Sequence, residues 1–427
     1  AMMLRVFVAA TSDGFAVMPG GLVRTAPAGV PGVVSMQRGG GCKDTWIVGD
    51  EGTVKEPAVA ADQANVVPLR YAGDRREAAG ELPSRAADGL FWVGRYAERS
   101  HGVIRLLRTL LLGVTDAARP WTMREVEPLL ALAVSLDLVP SQELGRAPAQ
   151  VLGLIPAIQS ALTDPAHPNG ASANLQRLAN AAAGVRDRLP PDCWRIVTAL
   201  ARQPVAPVGR PAPARLLLRL DELVMLSAAL WGAVDDNMTR DAGWRFLEIG
   251  KWLERAINLI AIIGSASAAA LAADSHGRPI DEDRLLGAIF AVAGMRAPSV
   301  AQSDGTLNHA AALAALLTDN SNPFSLAFHI DALSAHLHAL PPPSGWGPST
   351  SLSGEAAITQ ALDVAQAARD RLITIADLVG PAAAPSSAPA SLIKPLHAAL
   401  APIASWLPEI SNLLTQAYLI HVYARQA

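Results

Sequence analysis

Sulfur is scarce in this chain: of 427 residues two are cysteine, Cys42 and Cys193. They stand far apart and form neither a disulfide framework nor a zinc-ligand spacing, so no metal site is expected. Aromatic residues make up 5% and charged residues 17%, and the formal net charge is −3. That balance gives no reason to expect nucleic acid or a membrane as partner. Long apolar runs are missing too. The longest, around Ile257–Ala272, is diluted by Gly, Ser and Asn and falls short of the roughly 20 residues a membrane-spanning helix needs. The amino terminus lacks the basic-then-apolar pattern of a secretory signal. These absences together point to a cytoplasmic protein.

What abounds is small and aliphatic. Hydrophobic residues reach 51%, enough for a large core. With so few aromatics that core must be built of Ala, Leu, Val and Ile, a composition that leans to helix. The expected fold is mainly α: a large all-helical domain with an internal helical repeat, plus a small N-terminal β appendage.

Residues 1–50 form the appendage. Leu4–Val8 and Phe15–Met18 read as strands around the turn signal Thr11-Ser12-Asp13-Gly14. Pro19-Gly20-Gly21 reads as a break before Leu22-Val23-Arg24. The stretch SMQRGGGCKDTWIV at 35–48 places three glycines between Arg38 and Lys43, and ends in another strand-like run. Residues 51–83 carry no sustained period and read as a linker. From Ser84 onward helical patterns follow one another, near 84–114, 123–136, 145–163, 171–188, 212–238, 243–272, 282–294, 307–318, 323–339, 353–379 and 390–424. Pro-rich breaks such as Pro190-Pro191 and Pro341-Pro342-Pro343 interrupt them.

The helical part repeats itself. Gly94-Arg95-Tyr96-Ala97-Glu98-Arg99 recurs as Gly250-Lys251-Trp252-Leu253-Glu254-Arg255. On a helix Arg85, Asp88, Trp92, Arg95 and Arg99 share one face, and Trp244, Glu248, Lys251 and Arg255 make the matching stripe. A mid-helix glycine costs about 1 kcal/mol against alanine. Gly94 and Gly250 therefore suggest that another backbone, or a ligand, comes close. Two readings stay open. The stripes can face each other, with Glu98, Glu254, Arg95 and Lys251 in an interhelical ion-pair network. They can also line a cleft for an anionic ligand or peptide, since guanidinium forks suit carboxylates and phosphates. His329 and His336 share a helical face, but no complete ligand set accompanies them.

These residues carry a family resemblance. Ser84–Ala87, Leu90-Phe91-Trp92 and Gly94–Arg99 resemble the opening helix of the bacterial alpha-E domain family. Met238-Thr239-Arg240, Gly243–Leu247 and Leu253–Ala256 resemble its central motif, and Asn322–Phe328 a later one. The resemblance implies an alpha-E domain over 84–427. On the cleft reading, Arg85, Trp92, Arg95, Glu98, Arg99, Arg240, Trp244, Arg245, Glu254 and Arg255 are the candidate substrate-binding residues.

Residues 4–48 resemble the last segment of a circularly permuted ATP-grasp domain, through Arg5-Val6-Phe7, Met18–Arg24 and Gln37–Trp46. That resemblance implies an ATP-dependent amide or peptide ligase system, with transglutaminase-like and peptidase partners. Arg24, Arg38, Gly39, Gly40, Gly41, Lys43 and Asp44 are its candidate cofactor-binding residues. ATP and Mg are expected only where the remaining ATP-grasp portion is present, because this segment lacks most of the clamp. The helical domain would then bind a peptide substrate or position the ligase. A purely structural module, or an enzyme of unknown chemistry in the helices, are the alternatives.

Overall fold

The computed structural model describes residues 2–11, 14–25, 41–46, 82–116, 121–145, 152–202, 212–275, 282–295, 309–342, 351–379 and 390–419. The chain divides into two compact units, Ala1–Asp74 and Arg75–Ala427.

The first unit holds β1 (Met2–Thr11), β2 (Gly14–Thr25) and β3 (Gly41–Trp46), an antiparallel sheet in that order. The expected break at Pro19-Gly20-Gly21 does not end the strand: β2 runs through it. The β1–β2 register shifts there instead, from Val6 opposite Gly21 to Val8 opposite Val17. An irregularity of this kind is how a strand carries a proline, which has no amide hydrogen for the ladder. The glycine run is only partly described. Arg38, Gly39 and Gly40 lie outside the described residues, as does most of the expected linker. Gly41 opens β3 opposite Thr25, and Lys43 and Asp44 pair with Val23 and Leu22.

The second unit is helical. Its elements are α1 (Ser84–Thr115), α2 (Met123–Ser135), α3 (Ile155–Thr163), α4 (Ala171–Ala183), α5 (Pro191–Ala201), α6 (Pro213–Asn237), α7 (Ala242–Ser275), α8 (Glu282–Ala293), α9 (His309–Leu317), α10 (Leu326–His338), α11 (Ser351–Val379) and α12 (Ala390–Leu414). The periodicity placed all but one. Pro190-Pro191 reads as a break, yet Pro191 is the first residue of α5. Proline suits that position because its missing amide hydrogen would have no intrahelical partner there. Cys193, Val197 and Leu200 then face the core.

Two long helices form the axis of this unit. Contacts between α1 and α7 join residues a near-constant 155 to 160 positions apart, which is the signature of parallel helices. Antiparallel neighbours show a constant sum instead, as Gln360–Glu409 and Arg371–Ala399 do between α11 and α12. A parallel pair needs a long return path. The 32 residues of α1 rise about 48 Å at 1.5 Å each, and α2–α6 occupy the connection. Phe91, Ile104, Leu107, Leu110 and Leu111 from α1 and Phe246, Leu253 and Ile263 from α7 are buried in the shared core.

Candidate functional site

The repeated glycines set the distance between the two helices. A Cβ at Gly94 would overlap the carbonyl of Leu247 and crowd the amide of Lys251. One at Gly250 would overlap the carbonyl of Phe91 and crowd the amide of Arg95. Each glycine sits against the other helix's backbone at the equivalent position, so the two copies pack as a local two-fold pair. Of the two purposes a mid-helix glycine could serve here, close backbone approach is the one realised.

One turn on, the charges cross. Arg99 donates Nε to Glu254 Oε1 at 2.7 Å and Nη2 to Glu254 Oε2 at 3.0 Å, a two-pronged fork. Arg95 donates Nε to the same carboxylate. In the opposite direction Arg255 Nη2 lies 2.8 Å from Glu98 Oε1. Each Glu-Arg pair thus gives its glutamate to the other helix's arginine. Burial would raise the Glu98 carboxyl, but Arg255 and His101 beside it prevail and hold it down to about 2. Burial likewise opposes Glu254, and Arg95 and Arg99 bring it below the ordinary carboxylate range.

Lys251 departs from the expected network. It pairs within its own helix, 3.1 Å from both oxygens of Glu248, and its ammonium lies 4.5 Å from the Trp231 ring centre and 4.8 Å from that of Trp252. Burial pushes Glu248 up despite Lys251. The α7 stripe therefore splits, with Glu248 and Lys251 serving one aromatic cage and Arg255, with its neighbour Glu254, serving the crossing.

The remaining sequence candidates divide by position. Trp92 lies beside Arg95, whose guanidinium carbon is 5.6 Å from its ring centre. Arg240 and Arg245 flank Trp244 at the start of α7, at 4.3 and 5.8 Å, and Trp244 meets the His336 ring edge-on at 4.9 Å. Arg85 is exposed and stands about two helical turns before Trp92.

Beside the crossing lies a hollow of about 310 Å³. Arg99, Glu254, Asn169, Asn174 and Asn258 supply its polar wall, and Leu106, Leu132, Ile257 and Ile262 its apolar one. Arg99 is the cation of the crossing most open to solvent, 33% exposed against 23% for Arg255 and 8% for Arg95. Asn174 is held by Arg177, whose Nη1 donates to its Oδ1 at 3.1 Å. The asparagines escaped the sequence reading because they come from the α3–α4 turn, α4 and α7 and share no local pattern. Asn258 alone had a signal, standing four residues after Glu254 just as Gly102 follows Glu98. Among the described residues no group of three His, Cys, Asp or Glu side chains could hold a metal ion, and no helix is long and apolar enough to cross a membrane.

Residues 82–419 match the Alpha-E family, described as "a predicted alpha-helical domain with a conserved ER motif". The chain belongs to the Alpha-E family. Two Glu-Arg pairs occur in it, Glu98-Arg99 and Glu254-Arg255, and they are the four residues exchanged across the crossing. Uncharacterized proteins of Mycobacterium tuberculosis and Mycobacterium bovis are similar to it at 26% identity over 360 residues, 80% of this chain and 39% of theirs. The chain thus spans about two fifths of the length of these curated relatives. No solved structure matches it.

Proposed function

We propose that this Alpha-E domain is the helical accessory part of an ATP-grasp amide or peptide ligase system, and that it binds peptide substrate in the hollow beside Arg99. The observation that carries the reading is the hollow itself. At about 310 Å³ it falls in the range of small-ligand sites, and it joins an apolar wall to a few polar groups, as such sites do. Asn169 and Asn258 carry side-chain amides that can donate to and accept from peptide groups, Asn174 is held in place by Gly170, Asn169 and Arg177, and the partly exposed Arg99 offers charge. The buried charges have a different task. Arg95, Glu98 and Glu254 are engaged with protein partners across the crossing, and in this reading they fix the register of α1 against α7. The ligase part of the reading is supported by the likeness of residues 4–48 to an ATP-grasp segment. The greater length of the relatives leaves room for the rest of such an enzyme.

The test is calorimetric titration of short apolar peptides into the chain and into Ala261→Phe, which fills the hollow. Saturable binding lost in Ala261→Phe is expected. Equal binding by both would move the peptide elsewhere. Co-purification from cells addresses the partner: recovery of an ATP-grasp polypeptide is expected, and its absence would leave the domain acting alone.

A further inference from the structure

Across the Asn258 side chain from that hollow lies a smaller one of about 50 Å³, lined by Glu98, His101, Arg105, Arg255, Asn258 and His329 among others. The two share Gly102, Asn258, Ile262 and Val292. A Cβ at Gly102 would press on the Asn258 amide, so the glycine makes room for that amide at the junction.

The polar groups of the small hollow are out of balance. Glu98 answers Arg255, while no carboxylate among the described residues pairs with Arg105. Its Nη1 donates to Ala293 O at 2.8 Å, which caps the C-terminus of α8. That helix closes through Gly294 at φ +85, with Met295 N bonded back to Phe290 O. Among the described residues the other guanidinium nitrogens of Arg105 have no such partner. Two almost wholly buried histidines complete the lining. Among the described residues His101 Nε2 and His329 Nδ1 have no hydrogen-bond partner, although His329 Nε2 reaches Pro323 O at 3.2 Å. Buried polar atoms are nearly always satisfied, so orphans around a hollow point to a guest.

The guest's chemistry follows. The excess charge is a guanidinium, which calls for an anion. The space is that of one or two waters at about 30 Å³ each, which suits a planar carboxylate. Glu98, already in the hollow, disfavours a dianion such as a phosphate monoester. We propose that this hollow is a carboxylate subsite, in which Arg105, Asn258 and His101 hold the carboxylate end of a peptide whose apolar body lies in the larger hollow. The placement of the body rests on the peptide-binding reading above. The subsite itself rests on the small hollow alone.

The test uses the whole chain with ¹⁵N-labelled histidine and three probes: acetate, N-acetyl-leucine and N-acetyl-leucinamide. N-acetyl-leucine should bind about tenfold more tightly than its amide and shift the ring resonances of His101 and His329. Arg105→Gln should remove that preference, and Arg105→Lys, which keeps the charge, should retain part of it. Melting temperatures run alongside. If Arg105→Gln does not fold, acetate on the parent chain and Arg105→Lys carry the test. In Ala261→Phe, N-acetyl-leucine should fail while acetate still shifts the two histidines. Equal binding of acid and amide with unmoved histidines would overturn the subsite and leave the peptide reading standing. Histidine shifts with acetate, but N-acetyl-leucine binding unaffected by Ala261→Phe, would uphold the subsite and overturn the peptide reading. Binding of none of the three probes would overturn both.

Discussion

Glu254 of α7 accepts both prongs of the Arg99 guanidinium from α1, at 2.7 and 3.0 Å, while Arg255, the next residue on α7, returns to Glu98, the residue before Arg99. This exchange fits one register of the two helices. Slipping either helix by one residue would bring Glu against Glu or Arg against Arg. The ion pairs are thus a register device, a role buried charges fill better than that of raising stability, since their desolvation offsets most of the attraction.

The glycine contacts make the first prediction. Gly94→Ala and Gly250→Ala each place a Cβ against backbone of the facing helix, which cannot rotate away. Each should cost about 1–3 kcal/mol in urea unfolding. Gly264 and Gly287 supply the control, because a Cβ there meets no described atom within 4 Å. Gly264→Ala and Gly287→Ala should stabilise by up to about 1 kcal/mol through helix propensity. Stabilisation at all four sites would mean that α1 and α7 do not cross closely.

A second prediction concerns Glu254. Glu254→Gln leaves Arg95 and Arg99 without their shared carboxylate, and removing one partner of a buried pair costs about 3–5 kcal/mol. Adding Arg95→Met removes a stranded buried cation, so the double variant should recover part of the loss. Simple addition of the two single costs would contradict the shared-carboxylate geometry.

Much of this arrangement was legible in the sequence, for definable reasons. Helices announce themselves through apolar period, so α1 and α7 stood out, and the repeat marked both glycines and both Glu-Arg pairs. Pairing direction was not legible. Lys251 occupies the place of Arg95 in the repeat, yet its shorter reach and compact charge let it settle on Glu248 three residues back, between Trp231 and Trp252. α5 was hidden because proline both breaks and begins helices. The two hollows were hidden because Asn169, Asn174, Asn258, Arg105 and His329 come together only when the helices pack.

A third prediction follows from the β unit. On the proposed ligase reading, the three strands described would form one wall of a nucleotide clamp, and ATP-grasp chemistry needs carboxylates to hold Mg²⁺ as well. Titration of ATP·Mg²⁺ into this chain should give no micromolar binding. On that reading, adding an ATP-grasp ligase portion should produce binding, and Lys43→Ala should weaken it. Tight Mg²⁺-dependent binding by the chain alone would place a nucleotide site among the helices instead.

Acid should loosen the crossing in two stages. His101 and His329 are buried and neutral, each lowered from 6.5 to about 3, by burial first and then by Arg105 and Arg255 respectively. His336 is lowered to about 4, by burial and then Arg245. In the unfolded chain these imidazoles take up protons below about 6.5, while the folded ones wait until about 3 to 4. The unfolded state therefore binds more protons in that window, and stability falls as pH drops through it, by up to about 1.4 kcal/mol per histidine per pH unit. The carboxylates add a lower stage. Glu98 is held at about 2 against 4.5, so its contribution is complete above 4.5 and is lost as pH falls toward 2, and Glu254 shifts in the same direction. Glu248, raised by burial, works oppositely and softens the lower stage. Melting temperature should accordingly decline from about pH 6.5 and more steeply below about 4.5. His101→Gln combined with His329→Gln should shrink the upper stage to what His336 contributes and spare the lower, and Glu98→Gln should do the reverse. A melting temperature level from pH 7 to 5 in the parent chain would show that these histidines already carry protons in the folded state.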